Sequence, residues 1–111
     1  MDSMNQDVFR GHLEGLILAV LEAGPVHGYA ISQQLTTRSG GLLDYPTGSL
    51  YPALRRLEQA GRIRSSWASV GNRRRRTYEL TAAGTQELAT QRSDWQAFAA
   101  AIQNVLGPRP T

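Results

Sequence analysis

The apolar positions in the first third of the chain recur with the spacing of amphipathic helices. Between Val8 and Ala23 the apolar residues 13, 16, 17, 20 and 21 form one stripe, and Gly24-Pro25 ends the pattern. A second helix is predicted from about His27 to Arg38, where Ser39-Gly40-Gly41 follows. The proline-containing segment 42–46 is predicted to be a loop. The chain therefore begins with two short helices joined by a tight connection.

A third helix and a β-hairpin come next. Thr47 is a candidate N-cap for a helix over Gly48 to Ala60, whose apolar positions 50, 53, 54 and 57 face inward. Ile63–Ala68 and Thr77–Leu80 have the composition of two short strands. Four consecutive arginines lie between these strands, so the hairpin is predicted to have a basic tip.

The last helix is long, running from about residue 82 to residue 106 behind its candidate N-cap Thr81. Three helices followed by a two-stranded ribbon are typical of a winged helix-turn-helix. The fold class is therefore expected to be mainly α with a small β-hairpin. We divide the chain into a flexible N-terminal tail (1–7), a winged helix-turn-helix DNA-binding domain (8–81), a C-terminal dimerisation helix (82–106) and a tail (107–111).

Length and composition narrow the class of protein. The chain has 111 residues, of which 41% are apolar, as expected for one small globular domain. No apolar run is longer than the six residues from Leu16 to Leu21, which is too short to cross a membrane, and no basic segment near the N-terminus leads into an apolar one. The absence of cysteine excludes disulfides and thiolate metal sites. We expect a cytoplasmic protein without a membrane partner.

Positive charge is concentrated in one part of the sequence. Residues 55–76 hold eight arginines and one glutamate, a net charge of +7 in a chain whose total is +3. A basic segment within an otherwise mildly acidic chain indicates a polyanionic partner such as double-stranded DNA. The other interpretation is a solvated, arginine-rich surface.

The second helix of a helix-turn-helix enters the major groove with its N-terminal end first, while a wing reaches the backbone or the minor groove. Hydroxyl and guanidinium groups can bond both phosphates and base edges. Alternation along a strand prevents four consecutive arginines from facing one duplex together. The predicted DNA-contacting residues are Thr47, Ser49, Tyr51, Arg55, Arg56, Arg73, Arg74 and Arg76.

Purely structural roles are open for the residues of the third helix. The two hydroxyl residues at its start fit plain capping, and Tyr51 fits a half-buried position against the first helix. The arginines at 55 and 56 fit surface ion pairs, for example with Glu58 or Glu22. Trp67, in the first wing strand, is predicted to pack in the core.

The last helix carries an apolar stripe that is too long for one small core to cover. Such a stripe favours a homodimer interface between two copies of the chain. Trp95 and Phe98 are also candidates for an effector pocket, because paired aromatic side chains can hold a small, flat aromatic or drug-like ligand. The predicted interface residues are Leu88, Trp95, Phe98, Ile102 and Val105.

No catalytic motif is recognisable, so an enzyme is not expected, and no cofactor or metal site is assigned. His12 and His27 are the two histidines, and His27 fits a structural hydrogen bond at the start of a helix. One alternative function is a metal-responsive regulator of the same fold that uses His12 or His27 with carboxylates. Another is a winged helix that binds a protein or RNA.

Several linked motifs resemble those of the PadR family of bacterial transcriptional regulators. They are Gly24-Pro25-Val26-His27-Gly28-Tyr29, residues 48–58 (GSLYPALRRLE), Gly61-Arg62-Ile63, Trp67 and residues 75–84 (RRTYELTAAG). The resemblance implies a winged-helix dimer that binds operator DNA, usually as a repressor, and dimerises mainly through its C-terminal helix. It also implies release by a small effector, such as a phenolic acid or a planar drug-like molecule.

The resemblance extends to individual positions. Ser49, Tyr51 and the wing arginines match places that contact DNA in the family, and Trp95 matches a tryptophan that stacks on the ligand in drug-responsive members. The sequence departs from the family pattern in three respects. Position 77, where a second aromatic residue is common, is a threonine, and the run of four arginines is more basic than usual. The single helix after the wing corresponds to the short subfamily without a larger C-terminal domain.

Overall fold

The computed structural model describes residues 11–108, except for the side chain of Val70. The predicted tail over 1–7, residues 8–10 of the first predicted helix and residues 109–111 of the second tail lie outside the described residues. The described part contains helix α1 (Leu13–Leu21), strand β1 (Val26–His27), helix α2 (Gly28–Arg38), helix α3 (Thr47–Gln59), strand β2 (Ile63–Val70), strand β3 (Arg73–Leu80) and helix α4 (Ala82–Leu106).

Helices α1, α2 and α3 pack around one apolar core with the sheet and the first turns of α4. Ile17, Ile31, Leu54 and Ile63 contribute from four different elements and are at most 2% exposed. The inward face predicted for α3 is confirmed, because its residues 50, 53, 54 and 57 are all buried. The structure is thus the predicted mainly helical fold with a small antiparallel sheet.

The sheet has three strands in the order β1-β3-β2, not the two that were predicted. Val26 pairs with Tyr78, and His27, the predicted first residue of the second helix, pairs with Thr77. Helix α2 therefore begins at Gly28, one residue later than predicted. The expected structural hydrogen bond of His27 is confirmed, because its Nδ1 atom accepts the backbone N–H of Ala30 at 3.4 Å.

The hairpin is longer than its sequence suggests. Strand pairing continues to Val70 and Arg73, which face each other across a two-residue turn of Gly71 and Asn72. All four arginines therefore lie on β3 and not, as predicted, in the connection between the strands; the distal end of the hairpin is nevertheless basic, because Arg73 lies beside the turn. The backbone ladder explains the difference, since it continues through charged residues whose side chains extend into solvent.

Helix α3 begins at Thr47 with Pro46 as its N-cap, so the predicted capping role of Thr47 is wrong. The extended backbone of Pro46 directs its carbonyl group at the backbone N–H groups of Ser49 and Leu50, at 2.9 and 3.0 Å. Because this bonding starts one residue earlier, the side chain of Thr47 is an exposed group on the first turn of the helix.

Helix α4 is joined closely to the base of the wing. Thr81 is its N-cap, as predicted: Thr81 Oγ1 accepts the backbone N–H of Gly84 at 3.1 Å and donates to the carbonyl of Gly61 at 2.6 Å. A β-carbon on Gly84 would overlap the carbonyl oxygen of Arg62. The start of α4 is therefore in direct backbone contact with the sheet. In residues 11–108 we find no helix with the length and apolar character to span a membrane.

Candidate nucleic-acid interface and aromatic groove

The first turns of α3 present polar side chains to solvent. Thr47 and Arg55 are exposed and Ser49 is half-buried. The ring of Tyr51 lies over Gly28, where an added β-carbon would be only 2.8 Å from the phenol oxygen. Tyr51 thus packs against the start of α2 and keeps 41% of its surface exposed. The N-terminal end of α3 is available to a partner and is fixed by this contact.

Arg56 is held against α1. Its Nε atom lies 2.8 Å from an oxygen of Glu14, which is neither of the two ion-pair partners suggested by the sequence. Both side chains are partly exposed, so the pair contributes at most about 1 kcal/mol to stability. The pair connects the outer side of α3 to the start of α1 and directs Arg56 away from the first turns of α3.

Alternation along β3 divides the four arginines between two faces of the wing. Arg74 and Arg76 share a face with Trp67 and Ser69, because Trp67 pairs with Arg76 and Ser69 pairs with Arg74. Arg73 lies on the opposite face, at the end of the strand beside the turn. We call the surface formed by Trp67, Arg74 and Arg76 the cationic wing face.

Trp67 is 56% exposed, so the prediction that it packs in the core is wrong. The guanidinium carbon of Arg74 lies 5.0 Å from the centroid of the indole ring, and that of Arg76 lies 5.5 Å from it. Ile63, four residues earlier on the same side of β2, is buried at 2% exposure. The hairpin has therefore left the core by the time it reaches Trp67, and two arginines cover the ring in place of apolar side chains.

The cationic wing face lies beside helix α3. Arg76 Nη2 is 3.6 Å from a carboxylate oxygen of Glu58 on α3, and Ser65 Oγ donates to the same oxygen at 2.5 Å. Tyr78, nearer the base of the same face, is buried, and this burial raises the pKa of its phenol above the ordinary value. The Arg76–Glu58 pair thus connects the wing arginines to the second helix of the helix-turn-helix.

On the opposite wing face, Arg64 and Arg75 contact neighbouring side chains. Arg64 Nε lies 2.8 Å from Glu79 across the strands. Arg75 Nη1 lies 3.3 Å from the Nε2 atom of His27 on the neighbouring strand β1. Arg64 on this face is thus paired with a carboxylate, whereas Arg73 and Arg75 have no carboxylate partner among residues 11–108.

The second half of α4 carries a row of exposed apolar side chains. Trp95, Phe98, Ile102 and Val105 are between 43% and 87% exposed. Leu88 does not belong to this row, because it is 3% exposed and packs in the core of its own chain. The expectation that Leu88 faces a second copy is therefore not met. It lies in the part of α4 that packs into the core, whereas the side chains of the later row are at least 43% exposed.

A groove of about 440 Å³ lies between α1 and α4. The Trp95 ring forms part of its wall and meets the ring of His12 edge-on at a centroid distance of 5.2 Å. Phe98 packs beside the groove against Trp95, with centroids 5.6 Å apart. The contributions of Leu16, Leu43 and Gln91 could not be predicted from the sequence, since only the packing of distant segments brings these residues together. Lining residues include His12, Leu16, Leu43, Gln91, Arg92 and Trp95.

A bidentate ion pair connects the two helices at one end of this groove. The guanidinium of Arg92 on α4 donates to both carboxylate oxygens of Glu22, at 2.8 and 2.9 Å. This interaction lowers the pKa of the Glu22 carboxyl below its ordinary value. Within residues 11–108, no group of three or more histidine, aspartate or glutamate side chains is placed to hold a metal ion.

The three-helix body with a two-stranded wing beside its third helix defines the class of winged helix-turn-helix proteins. Residues 17–90 match the model of the transcriptional regulator PadR-like family, and the chain belongs to that family. It is accordingly a transcriptional regulator, not an enzyme. The resemblance on which the sequence-based prediction relied is confirmed.

Solved structures of such regulators superpose on most of the chain. A transcriptional regulator from Clostridium thermocellum is 28% identical with a TM-score of 0.85, over 94% of this chain and 99% of that one. A PadR family transcription regulator from Clostridium difficile is also 28% identical, with a TM-score of 0.79, over 87% of this chain and all of that one. One from Eggerthella lenta is 28% identical, with a TM-score of 0.80, over 94% and 89%.

Proposed function

We propose that this regulator binds operator DNA as a homodimer, represses transcription there, and is released by a small planar aromatic effector. Membership in the PadR-like family supports DNA-binding regulation. Repression follows the habit of the family that the sequence resembles. A regulator of chromosomal genes acts in the cytoplasm, where we expect this protein.

The proposed DNA surface joins the start of α3 to the wing. The helix contributes Thr47, Ser49, Tyr51 and Arg55, whose side chains lie on or near its exposed side. The single observation that supports this surface best is the Arg76–Glu58 pair at 3.6 Å, which brings the cationic wing face next to α3. Arg74, Arg76 and, beside the turn, Arg73 supply the wing contacts. Arg56 instead forms an ion pair with Glu14, which connects α3 to α1.

The experiment that tests this proposal is selection of duplexes from a randomised DNA library, followed by measurement of affinity against salt concentration. A dimer with two recognition helices should enrich a two-fold symmetric site with half-sites about one helical turn apart. Each phosphate contact contributes a slope of about −0.9 to the dependence of log affinity on log salt. Because each substitution is present in both protomers of the proposed dimer, Arg74→Ala and Arg76→Ala should each flatten the slope by about two units.

Arg64→Ala is the matched control, because it removes the same charge from the opposite wing face. It should leave the slope nearly unchanged. Equal effects of all three substitutions would mean that only net charge matters and that the wing has no defined contact. An equal preference for A-form RNA would favour the alternative of an RNA-binding module.

The proposed dimer is formed by α4. Its row of Trp95, Phe98, Ile102 and Val105 repeats at intervals of three and four residues, as in helices that pack side by side. A contiguous exposed apolar face of this kind usually marks an interface. A second copy of the same helix presents a matching surface through a two-fold axis.

The proposed effector site is the groove between α1 and α4. A flat ligand would stack on Trp95, whose indole is 51% exposed, and replace water on an otherwise apolar wall. The edge-on contact with His12 and the tilted contact with Phe98 fix the orientation of this ring. The Trp95 ring is therefore held in a fixed orientation before a ligand stacks on it.

A further inference from the structure

Trp67 is an exposed indole with two guanidinium groups over it, on the surface proposed to meet DNA. Trp67 on β2 pairs directly with Arg76 on β3, and Arg74 is the diagonal neighbour two residues along the same face. Both guanidinium carbons lie within 5.5 Å of the ring centroid. The ring itself is 56% exposed, so it contributes little to the core. Packing in the core therefore does not explain why a tryptophan is present at this position.

The ring restricts two flexible side chains. A free arginine samples many rotamers, and binding a phosphate requires that it give up this freedom. A guanidinium that stacks on an aromatic face keeps its in-plane N–H groups, which are the groups that bond phosphate oxygens. An arginine held in this way loses less freedom on binding, and its donors remain available.

The two arginines differ in how they are held. Arg76 has a second contact, with the carboxylate of Glu58 at 3.6 Å. For Arg74, the indole ring is the one contact of its guanidinium found within residues 11–108. The ring should therefore matter more for Arg74 than for Arg76.

We propose that Trp67 is a positioning residue of the DNA interface, which holds Arg74 and Arg76 in the orientation in which they meet the phosphate backbone. This inference rests on the proposed function, in which these arginines contact DNA. Trp67 acts through the arginines and needs no contact of its own with the duplex.

The test is a double-mutant cycle on affinity for the selected operator. Trp67→Leu removes the aromatic face and keeps an apolar side chain, whereas Trp67→Phe keeps an aromatic face. Ordering one flexible arginine side chain corresponds to about a two- to tenfold factor, and Trp67→Leu frees two arginines in each protomer of the proposed dimer, so it should weaken operator binding at least about tenfold. Trp67→Phe should recover a large part of this loss. The salt slope should stay within about half a unit of the wild-type value, because both arginines are still present.

The same cycle separates positioning from other roles. In an Arg74→Ala/Arg76→Ala background, Trp67→Leu should have no further effect, and in Arg74→Ala alone its effect should be smaller than in Arg76→Ala alone. The unfolding midpoint in urea should not change, because the ring is exposed. An unreduced effect of Trp67→Leu in the double arginine background would overturn the proposal, as would wild-type affinity of Trp67→Leu itself. Unchanged affinity and slope in the double arginine variant would instead refute the proposed wing contacts.

Discussion

Replacing Gly84 by alanine tests how tightly α4 is joined to the winged domain. Gly84 is the third residue of α4, and an added β-carbon would overlap the carbonyl oxygen of Arg62 and lie 3.1 Å from Leu80 Cδ2. The carbonyl group belongs to the backbone and already accepts the N–H of Thr81 at 3.1 Å. It cannot turn aside as a flexible side chain would. The first turn of α4 must therefore move away from the sheet.

Two opposing effects determine the change in the free energy of unfolding. Alanine is the better helix former by up to about 1 kcal/mol. Against this, overpacking costs about 1–3 kcal/mol, and displacement of the Thr81 cap costs about 1 kcal/mol. The cap is at risk because Thr81 Oγ1 bonds both Gly84 N–H and the Gly61 carbonyl. We expect a net loss of about 2 kcal/mol, which lowers Tm by roughly 10 °C.

Urea unfolding followed by circular dichroism at one fixed protein concentration measures this loss. Gly48→Ala is the matched control, because Gly48 is the second residue of α3 and has no atom within 4 Å of an added β-carbon. It should be as stable as the wild type or more stable by a few tenths of a kcal/mol. A Gly84→Ala midpoint equal to or above that of the wild type, with unchanged m value, would refute the close contact with Arg62.

Three further predictions concern the dimer, the effector groove and pH. Ile102→Asp places a charge in the apolar row of α4, so sedimentation equilibrium should find monomers of unchanged helix content; a dimer at micromolar concentration would contradict the proposed interface. An acridine dye should quench the fluorescence of the Trp67→Phe variant, in which Trp95 is the sole tryptophan. It should not quench the fluorescence of Trp95→Phe, in which only Trp67 remains; quenching of both variants would mean that the dye binds somewhere other than the groove. Stability should fall from about pH 10 upward, because burial raises the pKa of Tyr78 in the folded chain and the unfolded chain ionises first. The chain has no lysine that would titrate in this pH range, so Tyr78→Phe should reduce the loss of stability with rising pH. The same loss in the variant would mean that other tyrosines cause it.

The helices and the wing could be predicted because each gives a local signal. The inward face of α3 repeats with the helical period, and Thr81 precedes an uninterrupted helical sequence that ends at Leu106. Strand β1 has no such signal. Its two residues, Val26 and His27, become a strand only because β3 offers an open edge at Tyr78 and Thr77. A pairing formed by residues about fifty positions apart cannot be read from either segment alone.

The errors at Trp67 and Leu88 have one cause. Both residues are apolar, but apolar character alone does not show whether the helix or strand still packs against the core at that position. The wing leaves the core between Ile63 and Trp67, and α4 leaves it between Leu88 and Trp95. The groove beside Trp95 was unpredictable in the same sense, because α1 and α4 meet there from opposite ends of the chain.

The geometry of α4 provides a way for a ligand in the groove to change the affinity for operator DNA. The helix is fixed at its start by Thr81 and Gly84, whereas its apolar row extends beyond the body. At about 1.5 Å per residue, Val105 lies roughly 26 Å beyond Leu88, so a tilt of about 5° at the groove would move the far end by about 2 Å. In the proposed dimer that end is held by the partner, and the displacement would instead appear as a change in the separation of the two winged domains. Since half-sites on DNA have a fixed spacing, a ligand that widens the groove would lower operator affinity without touching a residue of the DNA surface.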